Sequence, residues 1–516
     1  MSEPQSLARL DAQWLASSPR LAEGQRARAR ELPERVLQFG EGNFLRAFVD
    51  WMLERMNQRG LFNGRAVLLQ PIAQGLGERI NAQDGLYTVL LRGAVAGSVV
   101  ETRELITSVS RCLNPYDDFD QVLSAARQPE LRFVVSNTTE AGIRLDPEDS
   151  LEARPARSFP AKLTQLLYAR FQHFKGDTSK GWVMLPCELI ERNGDALAQC
   201  VLELVQKWQL PAEFLAWLEA SCVFTNTLVD RIVTGFPADE ADTLTRELGY
   251  RDELLVAGEA FHCWVIESPR PLEEELPLVQ AGLDVIWTTD MTPYRERKVR
   301  ILNGAHTMLA VGAYLGGIDT VRECMEDPLF RNYVQGALSQ EILPTLSLPA
   351  SELESFAESV LDRFENPFIR HQLLSIALNS VSKYKARLMG SVVDNQRQGK
   401  ECPRLAFALA TLLAFYRGSF KDGAFVGLRG GSAYVVKDEP RVLEFFAEAW
   451  SAFPSDAPTP EFCQRLVGEA LAREDLWGQA LTEELPDFCR GVAEQLYAIC
   501  SQGLRPALER LLSREA

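Results

Sequence analysis

Residues 36–48 read VLQFGEGNFLRAF. An apolar run ends in two glycines one residue apart, and a helical pattern begins directly after them. Strand, glycine turn and helix in that order are the context a dinucleotide-binding turn requires. Gly40 permits the tight turn. Gly42 lets backbone approach a pyrophosphate that rests on the start of the helix at Asn43. Two features depart from the usual fingerprint. Leu45 stands where a third glycine would allow close helix–strand packing, and the next predicted strand ends LLQPIAQ, with Gln70 where a carboxylate would hold the ribose 2′-hydroxyl. The two glycines alone leave two readings open, a nucleotide site and a plain strand-to-helix corner.

Outward from this turn, RVLQF, RAVLLQ, LYTVLLRG, LRFVVSN and GWVMLPC read as strands, with NFLRAFVDWMLERMN and PAKLTQLLYARFQHF as helices between them. This alternation predicts βαβ units and a mainly parallel, doubly wound sheet, which AFHCWVIES and LDVIWTTD extend. After TDMTPYRERK the strand signal fades. Residues 297–316, 351–364, 370–388, 403–417, 440–453, 459–473 and 484–513 carry helical periodicity. Gly-rich KDGAFVGLRGGSAYVVKDE lacks the GK[ST] ending of a phosphate loop and reads as a hairpin between helices. FPSDAPTPEF reads as a turn with a helix start, and the polar segment up to residue 33 as a helical lead-in. The fold class expected is an α/β Rossmann-type N-terminal domain over residues 1–290 and an all-α domain over residues 291–516.

Composition narrows the function. The chain has 516 residues, 46% hydrophobic and 24% charged, with a formal charge of −17, which speaks against coating nucleic acid. No apolar run approaches the ~20 residues that span a bilayer, and the first twenty residues lack the apolar stretch of a secretory signal. A cytoplasmic protein with no membrane or nucleic-acid partner is expected, a monomer or small homo-oligomer. Ten cysteines form no CxxC pair, and four histidines leave no metal site.

The second informative stretch is KVRILNGAHTMLAVGAYLG, from Lys298. On a regular helix Asn303 lies about 140° and His306 about 80° round from Lys298, so all three fit one side. Lys298 and His306 are ~12 Å apart along the axis, enough to flank a six-carbon substrate. A lysine against apolar surface can act as general base toward an alcohol. Asn303 could donate to a forming oxyanion, and His306 could orient the neighbouring oxygen. A polar stripe on a packed helix has the same spacing.

These residues carry a resemblance. Lys298-x4-Asn303-xx-His306 resembles the active-site motif of the polyol-specific long-chain dehydrogenases, the mannitol dehydrogenase family. NTLVDRIVTG (226–235) is similar to that family's Val-Asp-Arg-Ile signature, and FGEGNFLRAF to its Gly-x-Gly-x-Phe-x-Arg turn, with Gly40, Gly42, Phe44 and Arg46 in place and no third glycine. Further stretches, SNTTEAGI, PCELI and ERKV, resemble the family's hexuronate branch. The resemblance runs from about residue 34 past 390. It implies a Rossmann domain, a helical substrate domain, and metal-independent reduction of a keto-hexuronate such as tagaturonate with NAD as cofactor. Fructuronate, or a neutral polyol, is the alternative substrate, and a non-catalytic nicotinamide-binding sensor the alternative class. Carried over residue by residue, Lys298 is the acid/base and Asn303 and His306 bind the reacting oxygens. Apart from this carry-over, Asn137 sits at the end of the LRFVVS strand, where a doubly wound sheet meets its ligand. Asp230 could orient the nicotinamide side or pair with Arg231 or nearby backbone. Glu140, which matches the family's Thr-Glu, could gate protons or cap the next helix. A second family asparagine lies in a Cys-Asp-Asn sequence; this chain has Cys187-Glu188-Leu189, leaving Asn193 as a nearby substrate-binding candidate.

The departures bear on substrate. Polyol enzymes tend to have Glu three residues before the lysine, where this chain has Arg295. Their Arg-Ile-Ala-x-Asp-Gly-Ser-x-Lys pattern is here Ser375-Ile-Ala-Leu-Asn379-Ser-Val-Ser-Lys383. Arg295 or Lys383, with Lys385 and Arg387 as second choices, would pair with a substrate carboxylate. His371, beside Arg370, is expected to have no catalytic role.

Overall fold

Neighbouring residues along each central strand fall into different hydrophobic cores, so the strands are buried on both faces. The computed structural model describes residues 7–18, 31–95, 97–139, 141–453 and 459–513. It divides into two compact units, the first built from residues 1–93 and 99–291, the second mainly from residues 292–516.

Unit 1 opens with β1 (Glu34–Phe39), β2 (Arg65–Leu69), β3 (Tyr87–Val95), β4 (Ser98–Ile106), β5 (Val109–Leu113), β6 (Phe133–Ser136), β7 (Val183–Pro186) and β8 (Val223–Phe224). Six of these form one all-parallel sheet in the order β5-β2-β1-β6-β7-β8. Val36, Leu68, Phe133, Val135 and Leu185 pack on one face against the helix Val49–Gln58. Leu37, Leu69, Val134 and Met184 pack on the other against Phe119–Ala126, Phe159–Phe174 and Asn193–Lys207. This is the doubly wound arrangement, and its order reverses between β1 and β6, where such sheets bind ligands.

Three strand expectations need correcting. LYTVLLRG forms β3, but outside the parallel sheet, in a four-stranded sheet with β4, β10 (Val233–Gly235) and β11 (Val256–Glu259). The parallel edge is instead β5, whose VSRCL is too short and too polar to announce itself. AFHCWVIES and LDVIWTTD supply β12 (Cys263–Glu267) and β13 (Val285–Thr288), which pair with β9 (Asn226–Asp230) in a separate sheet and do not extend the parallel one. NFLRAFVDWMLERMN is also not one helix. It breaks between Asn43–Arg46 and Val49–Gln58, where the carbonyl oxygen of Arg46 lies 3.0 Å from the Tyr87 hydroxyl and that of Ala47 accepts from Arg231 at 2.6 Å.

Unit 2 is helical, with one three-stranded antiparallel sheet, Gly418–Lys421, Ala424–Arg429 and Ser432–Val436, where a hairpin was expected. The pattern over 370–388 divides into Leu373–Ile376 and Ser380–Arg387, with Asn379 left-handed (φ 51°) between them, and that over 484–513 divides at Gly503 (φ 87°). The lead-in holds a short helix, Ala12–Ser17, with residues 1–6 and 19–30 outside the described residues. The helix expected in FPSDAPTPEF starts at Pro460, with residues 454–458 outside them. Among the described residues no helix is long and apolar enough to cross a membrane. None of the ten cysteines is bridged, and eight are buried; the half-buried pair is Cys200, in unit 1, and Cys500, in unit 2.

Candidate functional site

The chemistry-bearing residues form two groups, one in each unit. In unit 1 the turn after β1 sits where the sheet order reverses. Gly40 has φ +116°, and a Cβ there would lie 3.0 Å from the carbonyl oxygen of Asn137, so two constraints demand glycine. Asn137 follows β6, donating its N–H to Phe39 and its amide to the carbonyl of Cys187 at 2.8 Å. A Cβ on Gly42 would meet nothing within 4 Å, and both Gly42 and Asn43 are exposed. The glycine at 42 therefore answers no packing need of the protein itself. It leaves open backbone at a helix start, which fits a nucleotide pyrophosphate.

The other turn residues face inward. Leu45, 1% exposed, fills core where a third glycine would leave space. Phe44 is half-buried and stacks on Phe48 at 4.9 Å. Arg46, expected to touch the cofactor, is 2% exposed and lies beneath the turn. It donates to the Glu41 carbonyl oxygen (3.2 Å), to Asn43 Oδ1 (2.7 Å) and to the Leu254 carbonyl oxygen, and covers the Tyr87 ring. Each of its three nitrogens donates to the scaffold, two of them within the turn itself. Below it, fully buried Asp50 accepts from Tyr87 (3.0 Å) and Gln38 (3.3 Å), while its Oδ1 has no partner; burial lifts its carboxyl to about 7.

Asp230 ends β9 opposite Cys263 and is 8% exposed. The Arg231 guanidinium goes to the carbonyls of Ala47, Ala260 and Phe261 and lies 4.2 Å over Trp51; burial pulls it down to about 9. Asn193 requires a correction. It is fully buried, donating to the carbonyls of Pro186, Glu188 and Thr227 and accepting from the Thr227 N–H at 2.9 Å. With its amide fully used, it ties β7 to β9 and has nothing left for a substrate. Glu188, buried beside it, accepts from Ser136 and Thr138, and Leu189 is 63% exposed. Glu140 lies outside the described residues.

In unit 2 the Lys-Asn-His motif is not on a regular helix. Thr292–Arg297 is α-helical, Lys298–Asn303 is a π-helical turn, and Gly304–Leu315 is α-helical again. A π-turn closes from residue i to i+5, the Lys298-to-Asn303 spacing, and so brings the two nearer in azimuth than the about 140° of an α-helix. Such turns recur at functional sites. Lys298, Asn303 and His306 are all half-buried. Arg295 is half-buried one turn before Lys298, and Lys385 is exposed.

Around His306 the structure gathers residues from distant parts of the chain. Its ring lies 4.3 Å from that of Phe364 and 5.0 Å from that of His371, and its Nδ1 is buried without a hydrogen-bond partner. Burial pushes its pKa well below the ordinary histidine range, and His371, Arg363, Arg387 and Lys383 push it further, so the ring is neutral near pH 7. Arg387 reaches Thr307 Oγ1 at 3.2 Å, and Lys383 donates to the Ile376 carbonyl at 2.7 Å. Burial lowers the pKa of both, and Arg387 also lowers that of Lys383. Gly304 permits this approach: a Cβ there would lie 3.0 Å from Leu388 Cδ2, directly after the helix that carries Lys383 and Arg387. His371 was expected to have no catalytic role and Arg363 drew no reading in the sequence, because no local spacing ties either to residue 306.

Two family profiles match the chain, the mannitol dehydrogenase Rossmann domain over residues 34–280 and the mannitol dehydrogenase C-terminal domain over residues 290–500. The altronate oxidoreductase of Yersinia enterocolitica serotype O:8 is 46% identical over 482 residues, 93% of this chain and 97% of that one. That of Shigella flexneri is 46% identical over 483 residues, with the same shares. Among solved structures, D-sorbitol dehydrogenase in substrate-free form matches with a TM-score of 0.75 at 23% identity, covering 93% of this chain and 96% of that one. The Pseudomonas fluorescens mannitol 2-dehydrogenase complex with NAD and D-mannitol matches at 0.67 and 23%, covering 98% and 100%. At that identity the two structures speak to fold alone.

Proposed function

Because this chain belongs to the mannitol dehydrogenase family, we propose that it catalyses the reversible, NADH-dependent reduction of D-tagaturonate to D-altronate. The observation that carries the acidic substrate is the charge around His306. Burial leaves Arg387 and Lys383 poorly solvated, and they repel each other. A neutral polyol offers such a set only uncharged hydroxyl acceptors, whereas a hexuronate carboxylate neutralises it and accepts charge-assisted hydrogen bonds.

Bound NADH supplies the hydride. The protein's own part follows from its groups. Gly40, Gly42 and Asn43 form the turn that holds the nucleotide, Asn137 lies beside it after β6, Phe44 and Arg46 support it, and Asp230 belongs to the same unit. Lys298 gives its proton to the carbonyl oxygen as negative charge develops there, and takes it back in the oxidation direction. The Asn303 amide donates to that oxygen, and neutral His306 orients the adjacent hydroxyl. Arg387 and Lys383 hold the carboxylate, with Arg295 as the further candidate. The enzyme works in the cytoplasm as a monomer or small homo-oligomer.

The test is NADH oxidation measured side by side with tagaturonate, fructuronate and fructose. Tagaturonate should give the highest kcat/KM. Preference for fructuronate would overturn the tagaturonate assignment, and activity confined to fructose would overturn the uronate reading as a whole.

A further inference from the structure

Gln70 occupies the end of β2, where a Rossmann fold ordinarily offers a carboxylate to the ribose. Its amide is already committed: Nε2 donates to the carbonyls of Ile72 and Ala73 at 2.8 and 3.0 Å, and Oε1 accepts from the Gly77 N–H at 3.1 Å. A carboxylate reaches the same place from elsewhere. Glu41, between the two glycines of the turn, crosses to the segment after β2, and its Oε1 accepts from the Leu76 N–H at 3.2 Å. A Cβ built on Gly75 would fall 2.2 Å from that oxygen and 2.7 Å from Gln70 Cδ, so Gly75 leaves room for Glu41 and Gln70 side by side. The Glu41 charge acts on the thiol of Cys112 near the end of β5 and on the Arg46 guanidinium beneath the turn. Ile72, 62% exposed, adds apolar surface at the same end.

We propose that Glu41 is the residue that selects NAD over its 2′-phosphorylated form. It stands one residue before the glycine that fits the pyrophosphate and carries the negative charge missing at Gln70. It is 7% exposed and its Oε1 is held by the Leu76 N–H. It therefore acts as a fixed charge that attracts a ribose hydroxyl and repels a 2′-phosphate, which bears most of two negative charges at neutral pH. The inference rests on the nicotinamide reading of unit 1.

The test is nucleotide affinity in the absence of substrate, read by fluorescence titration with NADH and NADPH. Glu41→Gln keeps an acceptor for the Leu76 N–H and removes only the charge. It should weaken NADH several-fold and tighten NADPH about tenfold, with the thermal midpoint nearly unchanged. Gly75→Ala, which crowds the carboxylate out of place, should weaken NADH and provides a second arm if the first variant folds poorly. An unchanged NADH-to-NADPH ratio in folded Glu41→Gln overturns the assignment to Glu41. Failure of the wild-type protein to bind either nucleotide overturns the nicotinamide reading beneath it.

Discussion

Lys298 and His306 share one helical segment, yet the structure gives them separate tasks. Lys298→Ala should lower kcat by about 10²- to 10⁴-fold while NADH affinity stays, the signature of a lost proton donor; equal loss of nucleotide binding would point to misfolding. His306 is held neutral, so its own ionisation should not shape the pH profile of kcat between pH 6 and 8. An acid limb near 6.5 that disappears in His306→Asn would contradict this. Arg387→Ala removes a desolvated cation and should reduce kcat/KM for the uronate about ten- to a hundredfold, the value of one charged hydrogen bond at about 1.5–3 kcal/mol, with little change for a neutral ketose. The same comparison for Arg295→Ala ranks the two cations. At this scale the sequence carried Lys298, Asn303 and His306 in a local spacing. It could not carry His371 or Arg363, which reach His306 only through the fold. It misdirected attention to Arg46 and Asn193, because a polar residue in a motif looks the same whether it faces a ligand or the scaffold.

The parallel strands were legible as elements because burial on both faces writes continuous apolar runs. The same rule misplaced β3, whose LYTVLLRG is equally apolar, since sheet membership depends on a partner the run does not specify. The π-turn was hidden for a related reason: helical periodicity assumes 100° per residue and passes over a local rewinding. The glycine corner makes its own prediction. Leu45→Ala should cost about 2–5 kcal/mol, as for other fully buried leucines, read by denaturant unfolding. A neutral or stabilising effect would mean that the corner tolerates the open packing of a three-glycine turn.

For the molecule as a whole, Asp50 sets a pH dependence of stability. Its folded pKa of about 7 lies above the ordinary aspartate value of 3.8, so its contribution is fully present below the latter and is lost as pH rises through the former. Relative to Asp50→Asn, the wild-type protein should gain about 2–3 kcal/mol between pH 7 and pH 5, measured by chemical denaturation at both values; a constant difference would place the carboxyl's pKa near its ordinary value. NADH at a hundred times its Kd should raise unfolding free energy by about 2.7 kcal/mol. The cysteines extend this to each unit separately. With Cys200 in unit 1 and Cys500 in unit 2 as the half-buried thiols, a pulse of thiol reagent followed by peptide mapping becomes a two-channel clock. Labelling at one position times the local opening of the first unit, and labelling at the other times that of the second. A nucleotide that tightens only the unit it binds would slow one clock and leave the other running.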